Sequence, residues 1–508
     1  MENNSVYKGK NPVFKENDLV HMGNNPVFKE NDSVYRNNNQ ISNENDLIPK
    51  YKVLKFNFSD EEKIILEELR ENLIDLAISE KMSSFNEELI LKDIIRFLEN
   101  RLQNKFDYEY KENLAKNMLK ELIGYGEISS LIDDDNLEEI MVIGVKKPVF
   151  VYHREYGMME TDLYFEDEEK ITNIIDSIAR ETGRRIDQQS PILDARLPNG
   201  SRVNATIPPL SANGPTITIR KFKKDPLTIV DLIRYNTLNS EMASFLWLCV
   251  DGLGVKPANI IVSGGTSSGK TTLLNALSIF INPKERIITI EDTLELQIPH
   301  RHILRMEART VNIENQGEIT LEDLVKNSLR QRPDRIIVGE VRGKEAITLF
   351  TALNTGHSGF GTLHANNSRE TITRLTNAPM NVPKIMVSSI DFIIMEKRIY
   401  RSDGISLRRI TEIAEVVGIE EGTIQLSKLF EWDSEKDEFK NLTIVSKTLD
   451  EMANLKGVPI SNLNKEWKRR QMVLNYLVKN NISSQKDISD ILEIYYLNPD
   501  YVLNKIRD

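Results

Sequence analysis

Only one cysteine, Cys249, occurs in a chain of 508 residues. A lone thiol closes no internal disulfide and builds no multi-cysteine metal site, so a reducing compartment is its expected setting. Long apolar runs are missing as well. None approaches the ~20 residues that span a bilayer, and the start Met1–Lys10 lacks a signal-peptide core. The expectation is a cytoplasmic protein that reaches the inner face of a membrane only through partners. Positive charge is in deficit, with 66 Lys and Arg against 77 Asp and Glu and a net charge of -11. Such a surface repels phosphate backbones, so no direct nucleic-acid binding is expected. Hydrophobic residues at 40% and charged residues at 28% are what a globular protein carries, and the length suits two or three domains.

Organisation changes along the chain. Residues 1–50 are rich in Asn, Glu, Asp and Lys and too poor in apolar side chains for a core, which predicts a disordered tail. Within it NPVFKEND occurs at Asn11–Asp18 and again at Asn25–Asp32. Two readings stand, replication slippage in a tolerant tail or a docking peptide built on Val13/Phe14 and Val27/Phe28. Residues 51–117 read as a helical entry segment. Ser59 and Glu62 form a capping-box pattern, and Ile65, Leu66, Leu69, Leu73 and Leu76 follow at helical spacing. Residues 118–224 carry short β-rich pieces, Pro148–Tyr152 and Thr216–Arg220, with turns such as Pro198-Asn199-Gly200, and predict a compact α/β domain. Asp225-Pro226 marks a hinge. Across 225–447 the apolar runs Asn259–Val262, Ile287–Ile290 and Arg335–Val338 suit a buried parallel sheet that alternates with helices. Residues 448–508 return to helix, with Leu463, Trp467, Leu474 and Leu477/Val478 on one face.

Chemistry concentrates between residues 264 and 364. Gly264-Gly265-Thr266-Ser267-Ser268-Gly269-Lys270-Thr271 matches GxxxxGK[ST] in full, after a strand and before a helix-compatible run at Thr272–Phe280. Glycines let backbone N–H groups close on phosphate, Lys270 neutralises the β and γ oxygens, and the Thr271 hydroxyl ligates Mg²⁺ together with water. ATP and Mg²⁺ are therefore the expected ligands, with Thr272 continuing the cradle. A second strand runs into Gly339-Glu340-Val341-Arg342-Gly343, and Glu340 is the candidate general base or water-orienting acid. Gly339 occupies the place where many P-loop proteins carry a magnesium-holding aspartate. Glu291-Asp292-Thr293-Leu294-Glu295 ends a third strand, where a carboxylate, Glu291 first, suits a magnesium water shell or a nucleophilic water; a solvated acidic turn is the alternative. Two of the six histidines, His357 and His364, lie in a polar, Gly-rich stretch. A phosphate-sensing donor fits that setting better than a metal ligand, with ordinary capping as the bland reading.

In this order, Gly264–Thr271, Glu291–Glu295, Gly339–Gly343 and Gly356–His364 resemble the Walker A, Asp box, Walker B and His box of the secretion ATPase superfamily. That superfamily serves type II and type IV secretion, type IV pili and archaella. The resemblance runs over about 121–400 and includes Gly124-Tyr125-Gly126, Leu197–Val203, Ile219–Phe222 and Leu329–Arg335. It implies an α/β fold, a RecA-like P-loop NTPase core with a smaller N-terminal α/β domain and helical extensions at both ends. It also implies a homohexamer with ATP between subunits, working on an integral membrane platform protein. Arginines of the smaller domain reach the nucleotide in such rings, and the matching residues are Arg196, Arg202 and Arg220, with Arg330 and Arg342 in the core. The four-cysteine zinc module of many bacterial members is absent, and the wording Arg332-Pro333-Asp334-Arg335 looks more like archaeal and tight-adherence-type members. The expected function is an Mg-dependent ATPase that powers export or filament assembly. A nucleic-acid translocase on the same core is the alternative, and a nucleotide-binding scaffold without turnover the third reading.

Overall fold

The computed structural model describes residues 48–53, 58–79, 87–102, 105–223, 225–309, 317–400, 406–442 and 446–507. Residues 1–47 of the expected tail, with both repeats, fall outside the described residues, and Lys50 at its end already belongs to a strand. Contacts divide the chain into two compact units, with the boundary between Asp133 and Asp134.

The first unit opens with a two-residue strand, β1 (Lys50–Tyr51), and continues as helices Asp60–Ser79, Glu87–Leu102 and Tyr108–Ile123. The capping box is formed. The Ser59 amide donates to Glu62 Oε2 at 2.5 Å and the Glu62 amide to Ser59 Oγ at 3.3 Å, which satisfies donors that a helix start leaves open. Glu62 also accepts from the Tyr110 hydroxyl at 2.5 Å and so ties the first helix to the third. Ile65, Leu69, Ile94, Leu98, Leu114 and Met118 make the core of the unit. The side chains of Leu73 and Leu76 lie outside the described residues.

The second unit holds two sheets. In the first, β4 (Gly157–Tyr164), β3 (Pro148–His153), β2 (Leu137–Val142), β7 (Thr216–Arg220), β6 (Arg202–Thr206) and β5 (Ile192–Arg196) follow one another in that order, every neighbour antiparallel. Helix Glu168–Glu181 buries Ile171, Ile174, Ile175 and Ile178, a stripe at helical period. The Pro198-Asn199-Gly200 turn joins β5 to β6, and Gly200 takes φ +90°, the left-handed conformation this tight reversal needs.

The second sheet carries β10 (Ile303–Glu307), β9 (Ile287–Glu291), β11 (Arg335–Val338), β12 (Ser358–His364), β8 (Ile260–Gly264) and β13 (Phe392–Tyr400) as parallel neighbours. It continues antiparallel through β14 (Ser406–Glu420), β15 (Thr423–Asp433) and β16 (Glu438–Asn441). The strand–turn–helix alternation read from 225–447 produces this sheet because its strands are apolar on both faces. Ile260 and Val262 pack into one cluster with Ile337 and Phe360, while Ile261 packs into the other with Ile288, Ile336 and Leu363. A period of 2 feeding two separate cores is what a sheet covered by helices on both sides requires.

Helices Lys447–Lys456, Ile460–Lys479, Gln485–Leu497 and Pro499–Arg507 complete the chain. They have no core of their own. Leu463, Val473, Leu474, Leu477, Leu492 and Tyr495 join the cluster of Phe245, Trp247 and Phe280 on one face of the large sheet. Trp247 stacks on Phe280 with ring centroids 5.3 Å apart and donates to the Tyr496 hydroxyl at 2.8 Å. Among the described residues no helix is long and apolar enough to cross a membrane.

Candidate nucleotide site

Parallel strands bring their carboxyl ends to one edge, and in an open α/β sheet that edge is where ligands bind. Here β8 delivers the P-loop, β9 delivers Glu291 and Asp292, β11 delivers Gly339 and Glu340, and β12 delivers His364. Gly264 sits level with His364 on one side and with Glu396 of β13 on the other. Thr266, Ser267, Ser268, Gly269, Lys270, Thr271 and Thr272 line a cleft of about 280 Å³ together with Glu291, Asp292, Glu340, His364 and Arg342. Helix Lys270–Ser278 starts at the cleft, so its open amides and the positive end of its dipole face inward.

The cradle has unmet polar capacity. The buried Ser268 Oγ has no partner among the described residues. Lys270 folds back and donates Nζ–H to the Gly265 carbonyl at 2.7 Å. Burial pulls its ammonium below the ordinary lysine value, against the attraction of Glu340 and Glu396. A buried cation held only by one carbonyl, beside open amides and a free hydroxyl, fits a phosphate chain. The Thr271 hydroxyl and the surrounding carboxylates fit a hydrated magnesium ion. Among the described residues no group of three His, Cys, Asp or Glu side chains is arranged to hold a metal by itself.

Glu340 is held on both oxygens. His364 Nε2 lies 3.2 Å from Oε1, and Arg342 Nη2 donates to Oε2 at 2.5 Å. Burial works to raise the Glu340 carboxyl, but the Arg342 hydrogen bond and charge, with His364 and Lys270, hold it below the usual carboxylate value. Burial and the Lys270 charge lower His364, which leaves a neutral ring able to donate from Nε2. Arg342 also approaches Asp292 at 3.7 Å. A carboxylate kept ionised beside a P-loop lysine can accept a proton from water.

Glu291 is 2% exposed. Its Oε2 accepts from the amides of Glu295 and Leu296 at 2.7 and 2.9 Å, while its buried Oε1 has no partner among the described residues. Burial raises its carboxyl despite those two donors. Gly339 lies against it, and a Cβ at Gly339 would come within 3.0 Å of Glu291 Cγ. The Glu291 side chain of the neighbouring strand thus takes up the space that a side chain at position 339 would need.

The arginines separate. Arg202 and Arg220, from β6 and β7, line the cleft, and Arg202 contacts the Thr293 carbonyl at 3.3 Å and Glu295 at 3.5 Å. Arg196 is not in the cleft lining; it pairs with Glu307 at 3.2 Å and reaches the Leu294 carbonyl at 3.4 Å. Arg330 is exposed and also outside that lining. His357 turns to the Ala352 carbonyl at 3.2 Å, a local bond away from the cleft. Sequence reasoning missed Glu138 and Arg408, which line the cleft, and Glu396, buried beside Gly269. Glu396 gave little signal, since it ends the apolar run Phe392–Met395 and is followed at once by Lys397 and Arg398.

A sequence model described as type II/IV secretion system protein matches residues 121–430. The chain belongs to this family. With an intact P-loop it is an ATPase of the secretion type. It is 32% identical to the uncharacterized protein MJ0781 of Methanocaldococcus jannaschii, over 91% of this chain and 86% of that protein. It is 35% identical to the putative conjugal transfer protein Rv3659c of Mycobacterium tuberculosis, over 50% of this chain and 73% of that protein. Among solved structures, the VirB11 ATPase of the Brucella suis type IV secretion system is similar at 25% identity, covering 56% of this chain and 90% of that one with a TM-score of 0.28. The pilus retraction motor PilT with bound ADP is similar at 20% identity, over 67% and 89%, with a TM-score of 0.38.

Proposed function

We propose that this secretion-type ATPase is an Mg-dependent, homohexameric motor at the inner face of the cell membrane. There it acts on an integral membrane platform protein to drive protein export or the assembly of a type IV pilus-like or archaellum-like filament. The observation that carries the reading is that Glu340, Lys270, Arg202 and Arg220 line one cleft, the first two from the large sheet and its P-loop helix and the last two from the antiparallel sheet. A site built from both sheets converts the presence or absence of a γ-phosphate into a change in how one sheet sits on the other.

Chemistry follows from the residues. On nucleotide binding the Lys270 ammonium exchanges the Gly265 carbonyl for phosphate oxygens, and the helix N-terminus supplies amides to the same charge. Thr271 is the residue that would hold magnesium, which when bound neutralises charge on the β- and γ-phosphates. Glu340 orients water and takes its proton as the water oxygen bonds to the γ-phosphorus and the bond to the ADP oxygen breaks. The neutral His364 ring donates to Glu340 and reports loss of the phosphate through that contact. Arg202 and Arg220, in cis or from a neighbouring subunit, stabilise the charge on the transferring group.

Phosphate release should rise with protein concentration as light scattering detects the hexamer. Membranes that contain the platform protein should stimulate it further. Stimulation by DNA with no response to such membranes would support a translocase instead.

A further inference from the structure

Behind the P-loop lies a carboxyl that hydrolysis as described does not use. Glu396 belongs to β13, level with Gly264 and at an irregularity in the β13–β14 ladder between Met395 and Glu396. It is 1% exposed, in a strand whose preceding residues Phe392, Ile393, Ile394 and Met395 are all buried. An acid in such a place costs free energy unless its contacts compensate, and its Oε2 is buried with no partner among the described residues. Its other oxygen faces the loop. A Cβ built on Gly269 would lie 2.4 Å from Glu396 Oε1, and Gly269 takes φ +114°. The bare α-carbon of the loop and the buried acid therefore occupy adjoining space that no larger side chain at 269 could share. From β14, the Arg408 Nε–H donates to the Ser267 carbonyl at 3.3 Å on the same side of the loop.

We propose that Glu396 is a positioning residue for the phosphate cradle, bracing the turn at Gly269 so that the amides leading into Lys270 keep their anion-binding arrangement. It rests on the reading of this loop as a nucleotide site. The charged groups that bear on Glu396 are Arg408 from β14 and Lys270 from the P-loop helix; burial outweighs both and raises the carboxyl to about 8. At neutral pH the acid is mostly uncharged and fills its place without adding negative charge beside a triphosphate. Above pH 8 it ionises, repels phosphate and draws Lys270 toward itself.

The test is nucleotide affinity of the full chain, read with a fluorescent ATP analogue from pH 6.5 to 9.5, for wild type, Glu396→Gln and Glu396→Ala, with thermal melting alongside. Glu396→Gln should match wild type at pH 7 and bind about fivefold or more tightly than wild type at pH 9, because only the wild type acquires the charge. Any change in the charge of Lys270 is common to both proteins, so the difference between them is the reading. Glu396→Ala should bind at least about fivefold more weakly at pH 7 while its melting temperature stays within a few degrees of wild type. Identical pH profiles for wild type and Glu396→Gln would overturn the inference, whether or not Glu396→Ala folds; so would wild-type affinity in a folded Glu396→Ala. Failure of the wild type to bind nucleotide at any pH would instead overturn the reading of the loop, and the inference with it.

Discussion

Glu340 makes the sharpest demand on single side chains, because burial and Arg342 pull its carboxyl in opposite directions. Activity needs the ionised form and so falls as pH drops through its titration. Removing Arg342 lets burial win, which raises that titration point. The acid limb of the pH–rate profile of Arg342→Ala should therefore move to higher pH by about one unit, with nucleotide affinity little changed. Glu396 supplies a second residue-scale expectation. Its folded value of about 8 exceeds the ordinary 4.5, so the folded chain holds a proton that the unfolded chain releases between those values. Stability from this group is present below that window and is lost as pH rises through it. The wild type should lose more melting temperature than Glu396→Gln between pH 5 and 8.5. The P-loop residues, Glu340 and Glu291 were legible because each follows a short apolar strand in a recognisable run. Glu396 and Arg408 come from strands that carry no motif, and their part in the cradle depends on β13 pairing with β8, which local sequence does not announce.

Strands and helices explain what those motifs could not. Arg335–Val338 and Thr216–Arg220 were readable as strands from their apolar or alternating composition, and both occur over those residues. Their partners were not readable, since strand order depends on which faces the helices cover. Arg196 shows the consequence. It matched a family position, yet β5 presents it to Glu307 at 3.2 Å rather than to the cleft lining. The C-terminal helices depend on buried polar contacts as well as on packing. Arg470 lies 2.8 Å from Asp251 and 3.0 Å from Glu466, with its guanidinium over Trp247. Arg470→Ala leaves Asp251 buried and unpaired, which costs about 3 kcal/mol or more. Denaturant unfolding followed by tryptophan fluorescence should show that loss.

Within the second unit, one of the two clusters that cover the large sheet runs from Ile229 to Leu503 and takes in both the P-loop strand and the last helices. Truncation before residue 448 should expose Phe245 and Trp247 and give aggregated protein rather than a trimmed, active core; size-exclusion chromatography would show which. This shared core was hidden in the sequence, where the last sixty or so residues read as a separate helical piece, because a helical stripe does not reveal what covers it. Hydrolysis at one cleft is the claim on which everything larger rests. The most direct measurement pairs nucleotide binding with single-turnover phosphate release for wild type, Lys270→Ala and Glu340→Gln. Lys270→Ala should fail to bind, and Glu340→Gln should bind like wild type while releasing phosphate about a hundredfold more slowly. Wild-type turnover by Glu340→Gln would contradict the assignment of the base and the motor built on it.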